Sequence, residues 1–384
     1  MAESLNLYKK IAIVFIILIS FYLIFVFLRY QKSVYESQKH ITSIIGSGGS
    51  GEGFIAGMGT SKAGFKEGMK TESNKTGDNA TNIKFMTVND TGPKVQTIDA
   101  SKYPNLTLKD FVIKSSYNTA YIGSSMSIHA ISYALKRGYR FVDFEVYLVD
   151  GLPCVGYGNS STNLMKISSS NTLPLGQVLY SLVTEGFMAP TPNTGDPLFV
   201  NLRINTSDSV LYELVAKSVN KNMKNILYNG KVDSSTKLSD IMGKIVLSID
   251  VTTSPNYDSY PDCSALVNSK SECFNLSQYV NLEIGGNSFR KITYESLLGQ
   301  TTNPVNINSD DETSDTTILR IAYPDIGLDG NPSAIESIIK DYGTQFLAVR
   351  LYFLDTNLKN YETFFASCGN AIVPFSSAIS NLNQ

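Results

Sequence analysis

The longest apolar stretch of the chain lies close to its N-terminus. Residues 11–28 (IAIVFIILISFYLIFVFL) contain no charged side chain, and a helix of that length is at the lower limit for crossing ~30 Å of hydrocarbon. The run exceeds the apolar region of a cleaved secretory signal, about 7 to 15 residues. Arg29 and Lys32 follow it where a signal would carry small residues. We predict one uncleaved transmembrane helix over residues 11–28, after a short flank of residues 1–10.

The next stretch is glycine-rich and then polar. Residues 46–69 read GSGGSGEGFIAGMGTSKAGFKEGM, a composition that is entropically costly to fold. We predict a juxtamembrane segment and flexible tether over residues 29–105. A passive spacer is the simpler interpretation. The apolar residues Phe54, Ile55, Met58, Phe65 and Met69 leave open a segment that becomes ordered when a partner covers it.

From residue 106 onward, short β-branched runs alternate with amphipathic stretches. This alternation is typical of a parallel sheet covered by helices. The candidate strands are residues 111–114, 140–146, 154–156, 198–202, 244–251, 318–322, 346–352 and 371–374. Between the first two, Ile128, Ile131 and Leu135 share one helical face. Eight strands fit a closed barrel, so the predicted fold class is α/β, a (β/α)8 TIM-type barrel over residues 106–384.

The stretch between residues 252 and 317 breaks this alternation. It is rich in Ser, Asn and Asp and includes the run NSDDETSD. We predict a polar insert there, on the surface between a first half-barrel of residues 106–251 and a second of residues 318–384.

Composition narrows the functional classes. The chain has 384 residues with 32 basic and 34 acidic side chains, and this near-neutral balance excludes a protein that coats nucleic acid. Four cysteines are too few to define a disulfide framework in a domain of this size. Cys154 and Cys368 are expected as free thiols, whereas Cys263 and Cys273 are close enough in sequence to bridge in an oxidising compartment.

Several motifs of the predicted barrel resemble those of one enzyme family. The runs LKDFVIKSSYNTAYIG and ALKRGYRFVDFEVYLVDGLPCVGYG resemble the X region of phosphoinositide-specific phospholipase C, with its Ser-Ser-His-Asn-Thr-Tyr motif. The runs ILRIAYPD and GTQFLAVRLYFLDTNLKNYETFFASCGNAIVPF resemble the Y region, with its Arg-Ile-Tyr-Pro motif. The resemblance implies a β/α barrel in two halves joined by an insert.

The resemblance also implies two catalytic histidines that this chain lacks. Family chemistry uses one imidazole at the inositol 2-hydroxyl and another at the leaving oxygen, because each gains or loses a proton near neutral pH. Tyr117 and Tyr157 occupy the two matching positions. The chain's two histidines, His40 and His129, lie elsewhere in the sequence. A phenol with a reference pKa near 10 is a poor proton shuttle at pH 7.

The family's calcium site is altered as well. The resemblance implies oxygen ligands from an Asn, an acidic pair and a further Glu, a shell that suits Ca²⁺. Asn118 matches the Asn, and Asp143 with Glu145 matches the acidic pair with the two acids exchanged. Arg203 stands at the fourth position, where a cation would repel calcium and pair with the carboxylates. We therefore expect no metal cofactor.

These residues lead to three functional hypotheses. The first is a catalytically inactive, membrane-anchored, phospholipase-like barrel that serves as a structural or binding module. In it Asn118, Asp143, Glu145 and Arg203 close the barrel mouth as an ion-pair cluster. The second is a residual pocket for inositol phosphate or an anionic lipid head group, built on the same four residues. The third is an active phosphodiesterase with tyrosine-based chemistry.

Composition suggests a setting for the first hypothesis. The absence of Trp and the heavy use of Asn, Ile, Lys, Ser and Tyr are typical of an AT-rich genome, as in many large DNA viruses. We expect a single-pass protein of the virion's internal membrane or of the capsid–membrane interface, such as a minor capsid protein. Its partners would be the bilayer, through residues 11–28, and other proteins of the assembly.

Overall fold

The computed structural model describes residues 95–160, 165–259, 273–298, 318–326 and 330–383. The transmembrane helix predicted over residues 11–28 lies outside these ranges, as do residues 29–94 of the tether predicted over residues 29–105. Across the residues that are described, no helix combines the length and apolar character needed to cross a bilayer.

The strands follow the apolar runs. They are β1 (Phe111–Tyr117), β2 (Phe141–Val149), β3 (Leu152–Gly156), β4 (Leu173–Pro174), β5 (Leu198–Asn205), β6 (Ile245–Asp250), β7 (Leu282–Ile284), β8 (Phe289–Thr293), β9 (Leu319–Tyr323), β10 (Phe346–Arg350) and β11 (Ile372–Pro374). The helices are α1 (Ile128–Lys136), α2 (Leu175–Gly186), α3 (Val210–Met223), α4 (Leu238–Ile241), α5 (Tyr294–Leu298), α6 (Ile335–Lys340), α7 (Thr356–Cys368) and α8 (Phe375–Leu382).

Parallel strands form a nearly closed barrel. Their order around it is β7-β6-β5-β2-β1-β10-β9-β8, and each neighbouring pair in that order is parallel. The barrel closes weakly between β7 and β8, where Gly285 N donates to Phe289 O at 2.8 Å. These elements make up a TIM-type (β/α) barrel, as the sequence predicts.

The set of strands that form the barrel differs from the predicted set. All eight predicted segments form strands, but β3 pairs antiparallel with β2, and β11 pairs antiparallel with β1. The two remaining barrel strands, β7 and β8, lie at residues 282–293, within the predicted polar insert of residues 252–317. The insert prediction was therefore wrong for this part of the chain, which completes the barrel wall.

Aromatic rings fill the floor of the barrel. Side chains alternate along each strand, and Phe141, Phe199, Phe289 and Phe346 all point inward. The Phe346 ring lies with its centroid 5.2 to 5.3 Å from the centroids of the other three. A packed floor leaves the opposite end of the barrel as the place where polar side chains can gather.

The folded part of the chain begins earlier than predicted. Val95 and Ile98 are 2% and 3% exposed, and Ile98 N donates to Asp196 Oδ1 at 2.9 Å. The predicted boundary at residue 106 was therefore wrong, because Val95–Ile98 packs against the barrel. Because the neighbours of these two apolar residues are polar, the sequence showed no pattern that predicts a buried segment there.

The described cysteines include two free thiols and one disulfide-bonded residue. Cys154 and Cys368 are free thiols, as expected. Cys273 is disulfide-bonded, whereas Cys263 lies outside the described residues.

Candidate functional site

Two strands, β2 and β5, and the turn after β1 bring the predicted polar residues to the carboxyl ends of the barrel strands. Asp143 and Glu145 on β2 are two residues apart, so both point into the barrel. In the β2–β5 register Glu145 is paired with Arg203. Asn118 follows β1 with φ of 44°, a left-handed conformation that Asn tolerates better than most residues. Its backbone N donates to Asp143 Oδ2 at 3.1 Å.

Arg203 is the centre of the cluster. Its Nε and Nη2 donate to Asp143 Oδ1 and Oδ2 at 3.1 and 2.7 Å, a bidentate arrangement that fits a planar guanidinium. Its Nη1 donates to Glu145 Oε1 at 2.9 Å. Its Nη2 also donates to Asn118 Oδ1 at 2.7 Å. Four of the five N–H groups of an arginine are therefore used inside the cluster.

The remaining hydrogen bonds close the cluster. Asn118 Nδ2 donates to Glu145 Oε1 at 3.0 Å. Glu145 Oε2 accepts from Gly158 N at 2.8 Å and from the Tyr147 hydroxyl. Arg203 is 8% exposed and Asp143 is fully buried. Burial alone would lower the pKa of Arg203, but the charges of Asp143 and Glu145 outweigh it and hold that pKa well above its ordinary value. The ion pairs expected from the sequence are present.

A second layer of polar residues, which the sequence analysis missed, supports Asp143 from below. Asn201 Nδ2 donates to Asp143 Oδ1 at 2.8 Å, and the Tyr323 hydroxyl donates to the same oxygen at 3.2 Å. Ser248 Oγ in turn donates to Asn201 Oδ1 at 3.1 Å. Asn201 is two residues before Arg203, so alternation along β5 could have placed its side chain on the same face.

Tyr117, at the first family histidine position, is a packing residue in this site. Its ring lies 4.6 Å from the Arg203 guanidinium carbon, the geometry of a cation–π contact. The ring also meets Tyr323 edge-on, with centroids 5.6 Å apart. Burial raises the pKa of Tyr117, and the nearby Arg203 only partly opposes that effect. A phenol so placed is a weaker proton donor at neutral pH than a free one.

Tyr157, at the second position, belongs to an aromatic group above the cluster. Its ring stacks on Tyr121 with centroids 3.9 Å apart and an interplanar angle of 11°. Tyr352 meets both rings edge-on. Burial raises the pKa of Tyr157 as well. Both tyrosines thus lie in environments that favour the neutral phenol.

Among the described residues, no histidine lies at the mouth. His129 is exposed on the first turn of α1, and His40 lies outside the described residues. The part of the chain that the structure describes therefore brings no imidazole to the cluster.

The cluster does not fit a calcium ion. A calcium shell needs several convergent oxygens, and the oxygens of Asn118, Asp143 and Glu145 do converge. The point on which they converge is occupied by the Arg203 guanidinium, at 2.7 to 3.1 Å from them. A fixed cation thus takes the position that a metal ion would need.

Comparison with solved structures identifies the fold. PLC21 of L. pealei aligns at 14% identity with a TM-score of 0.52, over 72% of this chain and 38% of that chain. PLC21 of S. officinalis aligns at 14% identity with a TM-score of 0.51, over the same shares. This chain thus spans well under half the length of either protein. A calcium-dependent phosphoinositol-specific phospholipase C from a Pseudomonas species aligns at 11% identity and a TM-score of 0.44, over 73% of this chain and 99% of that chain. No protein-family model and no curated protein matches the sequence.

A parallel barrel with polar residues at the carboxyl ends of its strands defines the class of TIM-type barrel proteins. Its particular form is a barrel like that of phosphoinositide-specific phospholipase C, in line with the resemblance of the sequence motifs. At 14% identity this likeness shows the fold alone, because one fold hosts many activities. Activity has to be argued from the residues of the mouth.

Proposed function

We propose that this protein is a catalytically inactive barrel of the phospholipase C type, used as a structural or binding module held at a membrane. One observation carries the proposal: Arg203, Asp143, Glu145 and Asn118 satisfy one another at the mouth. To cleave a phosphodiester, the mouth would need a cation that can bind the phosphate and a side chain that can transfer protons. The cation is already paired, and both tyrosines have raised pKa values.

The same contacts weigh against the two alternatives. A head-group phosphate at the mouth would find one free N–H on Arg203, too few for bidentate recognition. Tyrosine-based catalysis would need a phenol activated toward ionisation, whereas burial favours the neutral form of Tyr117 and Tyr157.

A substrate screen tests the absence of catalysis. The full chain in detergent micelles would be incubated with phosphatidylinositol, its phosphorylated forms and a soluble cyclic phosphodiester, with and without Ca²⁺. We expect no product above a protein-free control. Turnover that disappears in Tyr117→Ala or Tyr157→Ala would contradict the proposal.

Membrane attachment is the second part of the proposal. The uncharged run of residues 11–28 supports it. The full chain should stay in the pellet after alkaline carbonate extraction, whereas a chain without residues 11–28 should be released. Release of both chains would argue against an integral anchor.

The setting in a viral particle is proposed from composition alone. A minor capsid protein that links an internal membrane to a protein shell would combine an anchor, a long tether and an inert domain. Mass spectrometry of purified particles of the source virus should detect the chain at a fixed ratio to the shell protein. Its absence from the particles would exclude this setting.

A further inference from the structure

A cavity follows one backbone edge of β8, at the weak closure of the barrel. It has a volume of about 770 Å³, and its lining includes Gly285, Gly286 and residues 290–293. Side chains of consecutive strand residues point to opposite faces of a sheet. A cavity that meets four consecutive residues of one strand therefore runs along the edge of that strand. No residue of the Arg203 cluster lines it, so this cavity is separate from the mouth.

The backbone groups along this edge lack a strand partner. β8 pairs with β9 on its other side, and β7 and β8 are the two ends of the strand order. Leu319 N donates to Ser288 O at 3.0 Å, so even-numbered residues of β8 direct their backbone groups to β9 and odd-numbered ones to the cavity side. On that side Phe289 O accepts from Gly285 N. The backbone N–H and C=O of Lys291 have no partner among the residues that the structure describes.

The neighbouring chain leaves room for another strand at this edge. Gly285 and Gly286 line the cavity without side chains, and no residue of β7 itself lines it. A strand placed in the cavity would therefore pair with β8 alone. A strand edge with unpaired N–H and C=O groups is a template for such an addition, in which backbone hydrogen bonds supply the affinity.

Arg290 determines which strand would fit. Phe289 points into the barrel, so the next side chain, Arg290, points to the outer face. It is exposed and has no hydrogen bond or ion pair with any described residue, whereas Lys291 is engaged by Asp250. Pairing of β8 with β8 of a second copy would bring two arginines together, and like charges on adjacent strands are destabilising. An acidic side chain beside Arg290 would instead be stabilising.

We propose that the free edge of β8 binds an extended acidic segment of a partner protein as an added strand. Backbone hydrogen bonds with Lys291 would hold the segment, and a carboxylate on Arg290 would select it. The hydroxyls of Thr293 and Ser296 line the same cavity and supply further polar contacts. The site is separate from the mouth, so the inference does not depend on whether the barrel is an enzyme.

Fluorescence anisotropy on the full chain in detergent micelles tests the role of Arg290. The probe is a labelled peptide of alternating residues, Thr-Glu-Thr-Glu-Thr-Glu-Thr. We expect saturable binding that Arg290→Glu weakens about tenfold or more and that the matched control Lys221→Glu, a change at another exposed cation, leaves unchanged. Arg290→Glu removes no contact with a described residue, so its Tm should equal that of wild type. No saturable binding, or equal affinity in both variants, would overturn the proposal.

N-methylated peptides separate strand addition from simple charge attraction. Methylation of every Thr nitrogen, or of every Glu nitrogen, removes the N–H groups from one edge of the extended peptide and leaves its charge unchanged. We expect one of these two peptides to bind about tenfold or more weakly and the other to bind like the unmodified peptide, because only one edge pairs with β8. Equal affinity of the two methylated peptides would overturn the proposal.

Two other occupants of the edge would give different results. A variant with Asp310→Asn, Asp311→Asn, Glu312→Gln and Asp315→Asn neutralises the acidic run that precedes β9. Peptide binding that occurs only in this variant would identify that run as the occupant and overturn the proposal. A dimer of the full chain that the peptide dissociates, measured by light scattering, would identify a second copy and would also overturn it.

Discussion

At the scale of single residues, Arg203 is the side chain on which the mouth depends. It pairs with two carboxylates that are 0% and 3% exposed, and such carboxylates are costly to bury without a counterion. In a metal-dependent site a metal ion would compensate these negative charges, but a metal ion can be exchanged or removed. A covalently fixed guanidinium makes the charge balance of the mouth a permanent part of the fold.

Removal of this cation should therefore destabilise the protein. Arg203→Gln would leave Asp143 and Glu145 buried without their partner, at a cost of about 3–5 kcal/mol in the free energy of unfolding. Urea denaturation followed by circular dichroism would measure the loss. Adding Asp143→Asn to Arg203→Gln should restore part of the stability, because one of the two uncompensated charges disappears. A change below about 1 kcal/mol in Arg203→Gln would show that the cluster is not a structural element.

The resemblance to phosphoinositide-specific phospholipase C is what placed Asn118, Asp143, Glu145 and Arg203 at one site, and alternation along a strand accounts only for the shared face of Asp143 and Glu145. It did not reveal Tyr323 as a partner of Asp143. The two are far apart in the chain, and the contact depends on how the barrel closes.

At the scale of elements, a buried ion pair joins β1 to α7. Lys114 Nζ donates to Glu362 Oε2 at 2.6 Å and to Arg137 O at 2.8 Å. Tyr139 OH donates to Glu362 Oε1, also at 2.6 Å. Burial alone would raise the pKa of Glu362, but the charges of Lys114 and Arg137 outweigh it and hold that pKa below its ordinary value. The pair therefore fixes the position of the helix on the barrel wall.

Breaking this pair on one side should be more harmful than replacing both partners. Glu362→Gln leaves the fully buried Lys114 ammonium without its anion and should cost about 3–5 kcal/mol, whereas Lys114→Met with Glu362→Leu should cost less. Glu336→Gln is the matched control, since its pair with Lys340 is exposed and should change stability by under about 1 kcal/mol. Thermal unfolding would rank the three variants. A double variant that is less stable than Glu362→Gln would contradict this account.

The strand prediction succeeded for segments with long apolar runs. It failed for segments that are short or that contain charged residues. β7 has three residues, and β8 contains Arg290 and Lys291, so neither has the pattern of a buried strand. Lys291 points inward because Asp250 neutralises it, a contact that no local pattern shows. β3 and β11 have apolar runs like the barrel strands, and an apolar run does not tell parallel pairing from antiparallel pairing.

At the scale of the whole molecule, the described chain enters the barrel at the end opposite the mouth. Residues 95–98 contact the segments that precede β2, β5 and β11, through Gly138, Gly195 and Gly369. The segments before β2 and β5 lie at the amino ends of those two barrel strands, near the aromatic floor.

The attachment of this entry segment should depend on pH through Asp196. Burial raises the pKa of Asp196 to about 6, above its ordinary value of 3.8. The folded state therefore prefers the neutral acid, and this residue's contribution to stability falls as pH rises from about 4 to 6. In urea unfolding at several pH values, Asp196→Asn should lack that decline relative to wild type. Parallel pH profiles for the two proteins would contradict the assignment.

The central claim is that the mouth of this barrel transfers no proton to or from a phosphodiester at neutral pH. A single-turnover assay tests it most directly, with the full chain in excess over radiolabelled phosphatidylinositol in mixed micelles, from pH 5 to 9, with and without Ca²⁺. The account predicts the same background release of inositol phosphate from wild type and from a Tyr117→Phe, Tyr157→Phe double variant. Release by wild type that exceeds background and falls to background in the double variant would show that the phenols are catalytic and that the barrel is an enzyme.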